Sequence, residues 1–241
     1  MTITEYPDPI LRKRGADVVN FDENLRQTCK EMISIMYQAQ GVGLAAPQVN
    51  LGLRLFVYNP SGDPKLKMME NIVCNPIVLE YSEEIDVEDE GCLSSRSECC
   101  DGAVCRAKTL WVEYQDERGR KVKRKLRGFE ARVFQHEYDH IRGILHLDRF
   151  CEEDRRRIQP ELDIMVAEYD RDDGILDITP EIKDTLKPPP LISGRMPPIS
   201  EPDAASAVES KESKTSIKMG FGGGLSGSKK AAKSRAKKKK K

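Results

Sequence analysis

The 241-residue sequence contains no run of 18 or more apolar residues, so it offers no helix able to span a bilayer, and no membrane partner is expected. Its opening residues, MTITEYPDPILR, show neither the apolar core of a secretory signal nor the Arg/Ser-rich, acid-poor character of a transit segment. Seven cysteines follow no regular spacing, and an odd count leaves at least one thiol free, so a reducing compartment is expected rather than a disulfide scaffold. There are no internal repeats. Strand and helix patterns do not alternate, which argues against a parallel, doubly wound sheet and for an α+β fold. Histidine is the scarcest chemistry-bearing residue: there are three, all within HEYDHIRGILH (136–146).

Charge is plentiful but unevenly placed. Residues 188–241 carry 13 Lys/Arg against 4 Asp/Glu, a surplus of +9. The first 187 residues carry 27 against 36, a balance of −9, so the net charge of zero hides an acidic body and a basic tail. The patterning divides at about the same place. Residues 1–172 read as one catalytic domain, ending in a helix that starts near 152. Residues 173–241 read as a Pro/Gly/Ser-rich linker and a disordered Lys-rich tail, KKAAKSRAKKKKK.

Within the body, Asp22 can cap a helix whose apolar positions are Leu25, Cys29, Met32, Ile33 and Met36, with Gly41 as its expected C′ residue. RLFVYN (54–59) reads as a strand stopped by NPSGDP. NIVCNPIVLEY (71–81) reads as extended, with Pro76 pointing to an edge or a bulge. TLWVEYQ and KVKRKLR form an expected hairpin over 109–127, with one face of its second strand basic. FEARVFQHEYDHI (129–141) lacks Gly and Pro and fits a helix. Another is expected from 152 to 170, bent or restarted near Pro160. The predicted architecture is therefore antiparallel or mixed sheets packed around a central helix bearing the two histidines.

His136-Glu137-x-x-His140 on a helix places two imidazoles one turn apart on the same face, where they can grip one metal ion. The glutamate between them can reach a water on that ion as general base. A catalytic site needs a third protein ligand. The candidates are His146, a carboxylate among Glu152, Glu153 and Asp154, or a cysteine, of which Cys92 stands out within EDEGCLS because Gly91 permits a tight backbone path. His146 would make the eleven residues a metzincin protease motif. Cys29 and Cys74 sit on apolar patterns and are expected in the core.

GVGLAAPQ (41–48), EGCLS (90–94) and HEYDH (136–140), in that order, closely resemble the three motifs of peptide deformylases. The likeness runs from EYPDPILR to LDRF (147–150), and ARVFQHEYDH and YNPSGDP are most similar to the organellar enzymes of plants and algae. The resemblance implies that Cys92, His136 and His140 bind a divalent ion, Fe(II) in the cell, with Zn(II), Ni(II) or Co(II) able to replace it. It implies Glu137 as general acid/base, and Gln48 and the Leu93 N–H as donors to the developing oxyanion. Val42 and Gly43 would pair with an extended peptide, and Val42, Phe129 and Val133 would hold a methionine side chain. Glu90 and Arg106 match a buried pair that stiffens the site, and Asp139 is a supporting residue around the ligands. The substrate implied is an N-formylmethionyl polypeptide, which places the chain in a plastid or mitochondrion, with a bacterial cytoplasm as the alternative.

Two features depart from the family pattern. After EGCLS the family continues with an apolar residue and proline, whereas SRSECCDGAVCR (95–106) is polar and Cys-rich and flanks the expected substrate groove. The basic tail is not needed for catalysis. Nine basic residues in its last 13 would draw it weakly to phosphates, so ribosome or RNA association is a second expectation, without aromatic or base-reading features to make it specific.

Overall fold

The computed structural model describes residues 1–95 and 100–169; the expected linker and tail lie outside the described residues. Among the described residues, seven strands form two antiparallel sheets. β1 (Gly43–Ala45), β2 (Leu55–Tyr58), β3 (Asn71–Tyr81), β6 (Thr109–Gln115) and β7 (Lys121–Arg127) lie side by side in that order, while β4 (Ile85–Glu90) pairs with β5 (Gly102–Ala107). Three helices pack against them: α1 (Glu23–Gln38), α2 (Gly128–His140) and α3 (Glu152–Ala167). This is the predicted α+β arrangement. No helix among the described residues is long and apolar enough to cross a membrane.

Strand β2 shows why the sheet needs helices on both faces. All four of its residues are buried, and alternate side chains point to opposite faces. Phe56 and Tyr58 enter the core with Val73, Leu110, Val112 and Leu126, closed by Ala131, Val133 and Phe134 of α2. Leu55 and Val57 enter a second core with Leu25, Cys29, Met32 and Met36 of α1. Phe134 meets Phe56 edge-on at 5.1 Å and so locks α2 to the sheet centre. A third cluster seats α3 against Leu11, Cys100, Leu145 and Leu147. Cys29 and Cys74 are fully buried, as expected.

Helix α1 starts where predicted, with the Asp22 side chain accepting from Leu25 N at 2.9 Å. Its end differs. Gln40, not Gly41, takes the left-handed conformation (φ 57°), while Gly41 N reaches back to Met36 O at 2.8 Å and Gln40 N to Tyr37 O. Pro76 sits in a central strand rather than at an edge. The register shifts between Cys74 and Ile77, and this bulge absorbs the missing N–H, with Asn75 at φ 52°. Pro160 lies inside α3 without dividing it. The β4–β5 ribbon is absent from the pattern reading: its burial alternates poorly because β4 is mostly exposed until Glu90.

Candidate metal centre and active site

Two elements deliver the centre. Helix α2 runs under the sheet with His136, Glu137 and His140 all essentially buried. The end of β4 turns through Glu90 and Gly91 to place Cys92 above the helix. Cys92 Sγ lies 3.3 Å from His140 Nε2, which lies 3.2 Å from His136 Nε2. The three donor atoms all fall within 4.8 Å of one another. Metal–nitrogen bonds of about 2.05 Å and metal–sulfur bonds of about 2.3 Å would give tetrahedral edges of about 3.3 Å for N···N and about 3.6 Å for S···N, so the spacing suits one ion. The electrostatics fit as well. Burial, then the neighbouring imidazoles of His136 and His146, keep His140 neutral with its lone pair available. Burial raises the Cys92 thiol, so this sulfur becomes an anion only where a cation takes the place of its proton.

The candidate ligands are braced from behind. His136 Nδ1 lies 3.0 Å from Glu90 Oε2, an arrangement that orients the ring and leaves Nε2 to face Cys92 and His140. Glu90 also accepts two bonds from Arg106, at 2.9 and 2.8 Å, and one from Arg132 at 2.9 Å. Burial alone would raise the Glu90 carboxyl, but Arg106 and then His136 hold it well below the usual range. Arg106 bonds Asp139 in turn at 2.5 Å, and Arg149 bonds the same carboxylate. Against the effect of burial, Arg149 and Arg106 keep Asp139 at about 2. The expected Glu90–Arg106 pair is therefore part of a five-residue network. Arg132 and Arg149 were not anticipated. Arg132 had a readable signal: a charged residue one turn before His136 on a face that must turn inward.

Glu137 departs from this satisfaction, as does His140 Nδ1. Both of its carboxylate oxygens are buried without a hydrogen-bond partner. Burial, and next the Glu90 charge, push its pKa well above the usual carboxylate range. Gly43 packs directly on it: a Cβ there would stand 2.3 Å from Glu137 Oε1. A buried carboxylate with no partner, poised for proton transfer, is typical of a reaction centre rather than of a structural core.

Gln48 lies in the turn Ala46–Val49 and is fully buried. The Ala45 N–H donates to Gln48 Oε1 at 2.8 Å, and a backbone N–H can only donate, so the amide's orientation is settled. Its Nε2 therefore faces Cys92 Sγ at 3.5 Å and Ser94 Oγ at 3.2 Å. Leu93 sits between those two residues, with its side chain packed on the α1 core. Gly43 opposes Tyr58 in β1, an edge strand, and Val42 precedes it, half-buried. Val133 is fully buried and Phe129 partly so, both in the core beneath the sheet.

His146 does not join the three-donor cluster. Helix α2 ends in a turn with Gly143 at φ 77°, where Ile144 N bonds Asp139 O and Gly143 N bonds His140 O. The chain is thereby redirected, and His146 Nε2 meets Cys100 O at 3.0 Å. The metzincin alternative is corrected accordingly: the glycine is a helix cap, and the third histidine is a buried structural residue. Glu152 and Glu153 are exposed at the start of α3, where Cys151 Sγ caps the first turn by accepting from Asp154 N, and the Asp154 carboxylate accepts from Ala103 N, so none of these carboxylates joins the three-donor cluster.

Comparison with known proteins agrees with this geometry. The family model described as polypeptide deformylase matches residues 1–156. The chloroplastic peptide deformylase 1B of Oryza sativa is 38% identical over 187 residues, which is 78% of this chain and 68% of that protein. The peptide deformylase of Thermotoga maritima is 42% identical over 160 residues, covering 66% of this chain and 93% of that one. The crystal structure of Arabidopsis thaliana peptide deformylase 1B with an inhibitor superposes with a TM-score of 0.67 at 38% identity, over 70% of this chain and 92% of the other.

Proposed function

The chain belongs to the peptide deformylase family and removes the N-formyl group from newly made polypeptides, and we propose that Cys92, His136 and His140 hold its metal ion while Glu137, Gln48 and Leu93 run the reaction. The observation that carries this assignment is the convergence of three donor atoms beside an unpartnered, buried Glu137. When bound, a divalent ion there supplies a Lewis acid that brings the pKa of a water to about 7. Glu137, kept basic enough by its burial, takes the proton of the attacking water and passes it to the departing amine. Gln48 Nε2 and the Leu93 N–H stabilise the negative charge that builds on the formyl oxygen; losing one such donor costs about 3–4 kcal/mol of transition-state stabilisation. The products are formate and a free N-terminus.

The substrate chain binds extended along β1, adding a strand at the open edge beside Gly43. Val42, Phe129 and Val133 form the apolar wall for its methionine. With a thiolate among its ligands the centre suits Fe(II) or Zn(II), and Fe(II) is the working ion, with Ni(II) and Co(II) as substitutes. Residues 1–172 form the catalytic unit and 173–241 an accessory extension. The basic end of that extension draws the enzyme to ribosomal phosphates, where formylated chains emerge, an effect that must weaken with salt. The chloroplast named for the rice relative supports a plastid or mitochondrial setting, a bacterial cytoplasm being the alternative. Anaerobic purification with metal analysis, followed by a formate-release assay on formyl-Met-Ala-Ser, tests the function. Metal-loaded protein that releases no formate refutes it.

A further inference from the structure

Eleven large hydrophobic side chains are exposed among the described residues, and three of them fall within four positions: Leu66 at 42%, Met68 at 91% and Met69 at 39%. They crown the loop between β2 and β3. An exposed apolar cluster this dense on a short loop calls for an explanation. The loop is not slack. Asn59, fully buried, donates through Nδ2 to Tyr37 Oη at 2.8 Å and to Asp63 O at 3.2 Å, with Leu66 O at 3.4 Å. Its Oδ1 accepts from Ser61 N and Ser61 Oγ. Tyr37 Oη donates to Glu70 at 2.9 Å, and Asn71 Nδ2 bonds Met69 O at 2.7 Å, so both ends of the methionine turn are pinned.

The same residue joins this loop to the site. Asn59 N donates to Val42 O at 2.7 Å, and a Cβ on Gly62 would lie 3.3 Å from Val42 Cγ1. The loop therefore rests on the residue that opens the substrate strand. Because Val42 spends its carbonyl on Asn59, the alternation of an antiparallel strand turns the polar groups of Gly43 to the free edge. The formyl end of a chain on that edge lies between Glu137 and Gln48. Its later residues run past Val42, away from the candidate ligands and toward the end of the sheet where Asn59 ties down the loop through Asp63 O and Leu66 O.

We infer that Leu66, Met68 and Met69 form a docking ridge for the segment of the substrate about three to six residues beyond the formylmethionine, and that this ridge favours apolar side chains there. This rests on the deformylase assignment and extends it to substrate preference. Those residues lie about 10–20 Å along an extended chain from the reacting end, beyond Val42, on which the start of this loop rests. Methionine suits a surface that must accept many sequences, because its unbranched, polarizable side chain adapts to whatever packs against it.

The test compares three substrates with the full-length, metal-loaded enzyme: formyl-Met-Ala-Ser and two formylated decapeptides that begin with the same three residues. One decapeptide continues with Leu and Val at positions four to seven, the other with Ser and Asn. The wild type is expected to show a KM about 3- to 10-fold lower for the apolar decapeptide than for the polar one, as partial burial of a methionine predicts. Met68→Glu should bring the two decapeptides together, and Met68→Leu should preserve the preference. The tripeptide ends before the ridge, so its rate reports folding and metal loading. A wild-type ratio near one, a preference that survives Met68→Glu, or an equal loss on all three substrates each overturns the inference. Failure of the wild type on the tripeptide would instead overturn the deformylase assignment, so the two failures are distinct.

Discussion

Gly43→Ala should disable the enzyme without emptying its metal centre. The added Cβ would stand 2.3 Å from Glu137 Oε1, 2.8 Å from Cδ and 2.9 Å from Cγ. Ordinary contacts lie near 3.5 Å, so the carboxylate must retreat by about 1 Å. On an exposed glutamate that shift would be free. Here the side chain is 0% exposed beneath the edge strand, and its oxygens are the ones proposed to receive a proton. A misplacement of about 1 Å at a reacting group costs about 100-fold in rate. The expected result is a kcat about 100-fold lower on formyl-Met-Ala-Ser. Metal stoichiometry should stay at the wild-type level, because Cys92, His136 and His140 lie outside the three contacts named. Glu137→Gln marks the floor for this effect, a loss of about 10²- to 10⁴-fold with the ion retained. A Gly43→Ala enzyme within threefold of wild type would show that Glu137 has room to move, and the argument from close packing would fail.

Three further outcomes follow from the geometry. Cys92→Ala should lose its metal and nearly all activity, whereas His146→Ala should keep both and lose about 2–3 kcal/mol of stability through its cavity and the unmatched Cys100 carbonyl; metal analysis beside chemical denaturation separates the two. Glu90→Gln leaves Arg106 and Arg132 buried without their shared anion, which should cost about 3–5 kcal/mol in unfolding free energy. The loosened His136 should weaken metal affinity by about 10- to 100-fold, measured by chelator competition. Gln40→Gly, at an exposed site held at φ 57°, should stabilise the protein by about 0.5–1 kcal/mol without altering kcat, read as a raised Tm.

Features set by neighbours in the chain were legible in advance. The Asp22 cap, the alternation in the 109–127 hairpin and the single inward face of His136 and His140 depend on contacts within a turn or a strand pair, so local chemistry suffices to read them. The cap role of Gly143 belongs with them, since only a residue tolerant of positive φ ends a helix that way. The β4–β5 ribbon escaped the same reading. Its six-pair register places Glu90 opposite Gly102 across the Cys-rich segment, and β4 lacks the clean alternation that marks a half-buried strand. Gln40 escaped because Gly41 beside it is the better left-handed residue, yet the bond from Gly41 N to Met36 O puts the turn one position earlier.

The choice of third ligand marks the boundary most clearly. Composition and helical periodicity determined that two histidines share one helix face with a glutamate between them, because that juxtaposition is built by one turn of helix. They left Cys92 and His146 as rivals, one 44 positions before His136 and the other ten after it. Nearness in the chain favoured His146, but nearness is undone by a left-handed glycine that turns its ring onto Cys100 O. Only the folded molecule, in which β4 brings Glu90 behind His136 and carries Cys92 over the helix, decides which sulfur or nitrogen can reach the centre. The orphaned carboxylate of Glu137 is likewise a tertiary fact: burial beneath Gly43, not its place in the motif, is what raises its pKa.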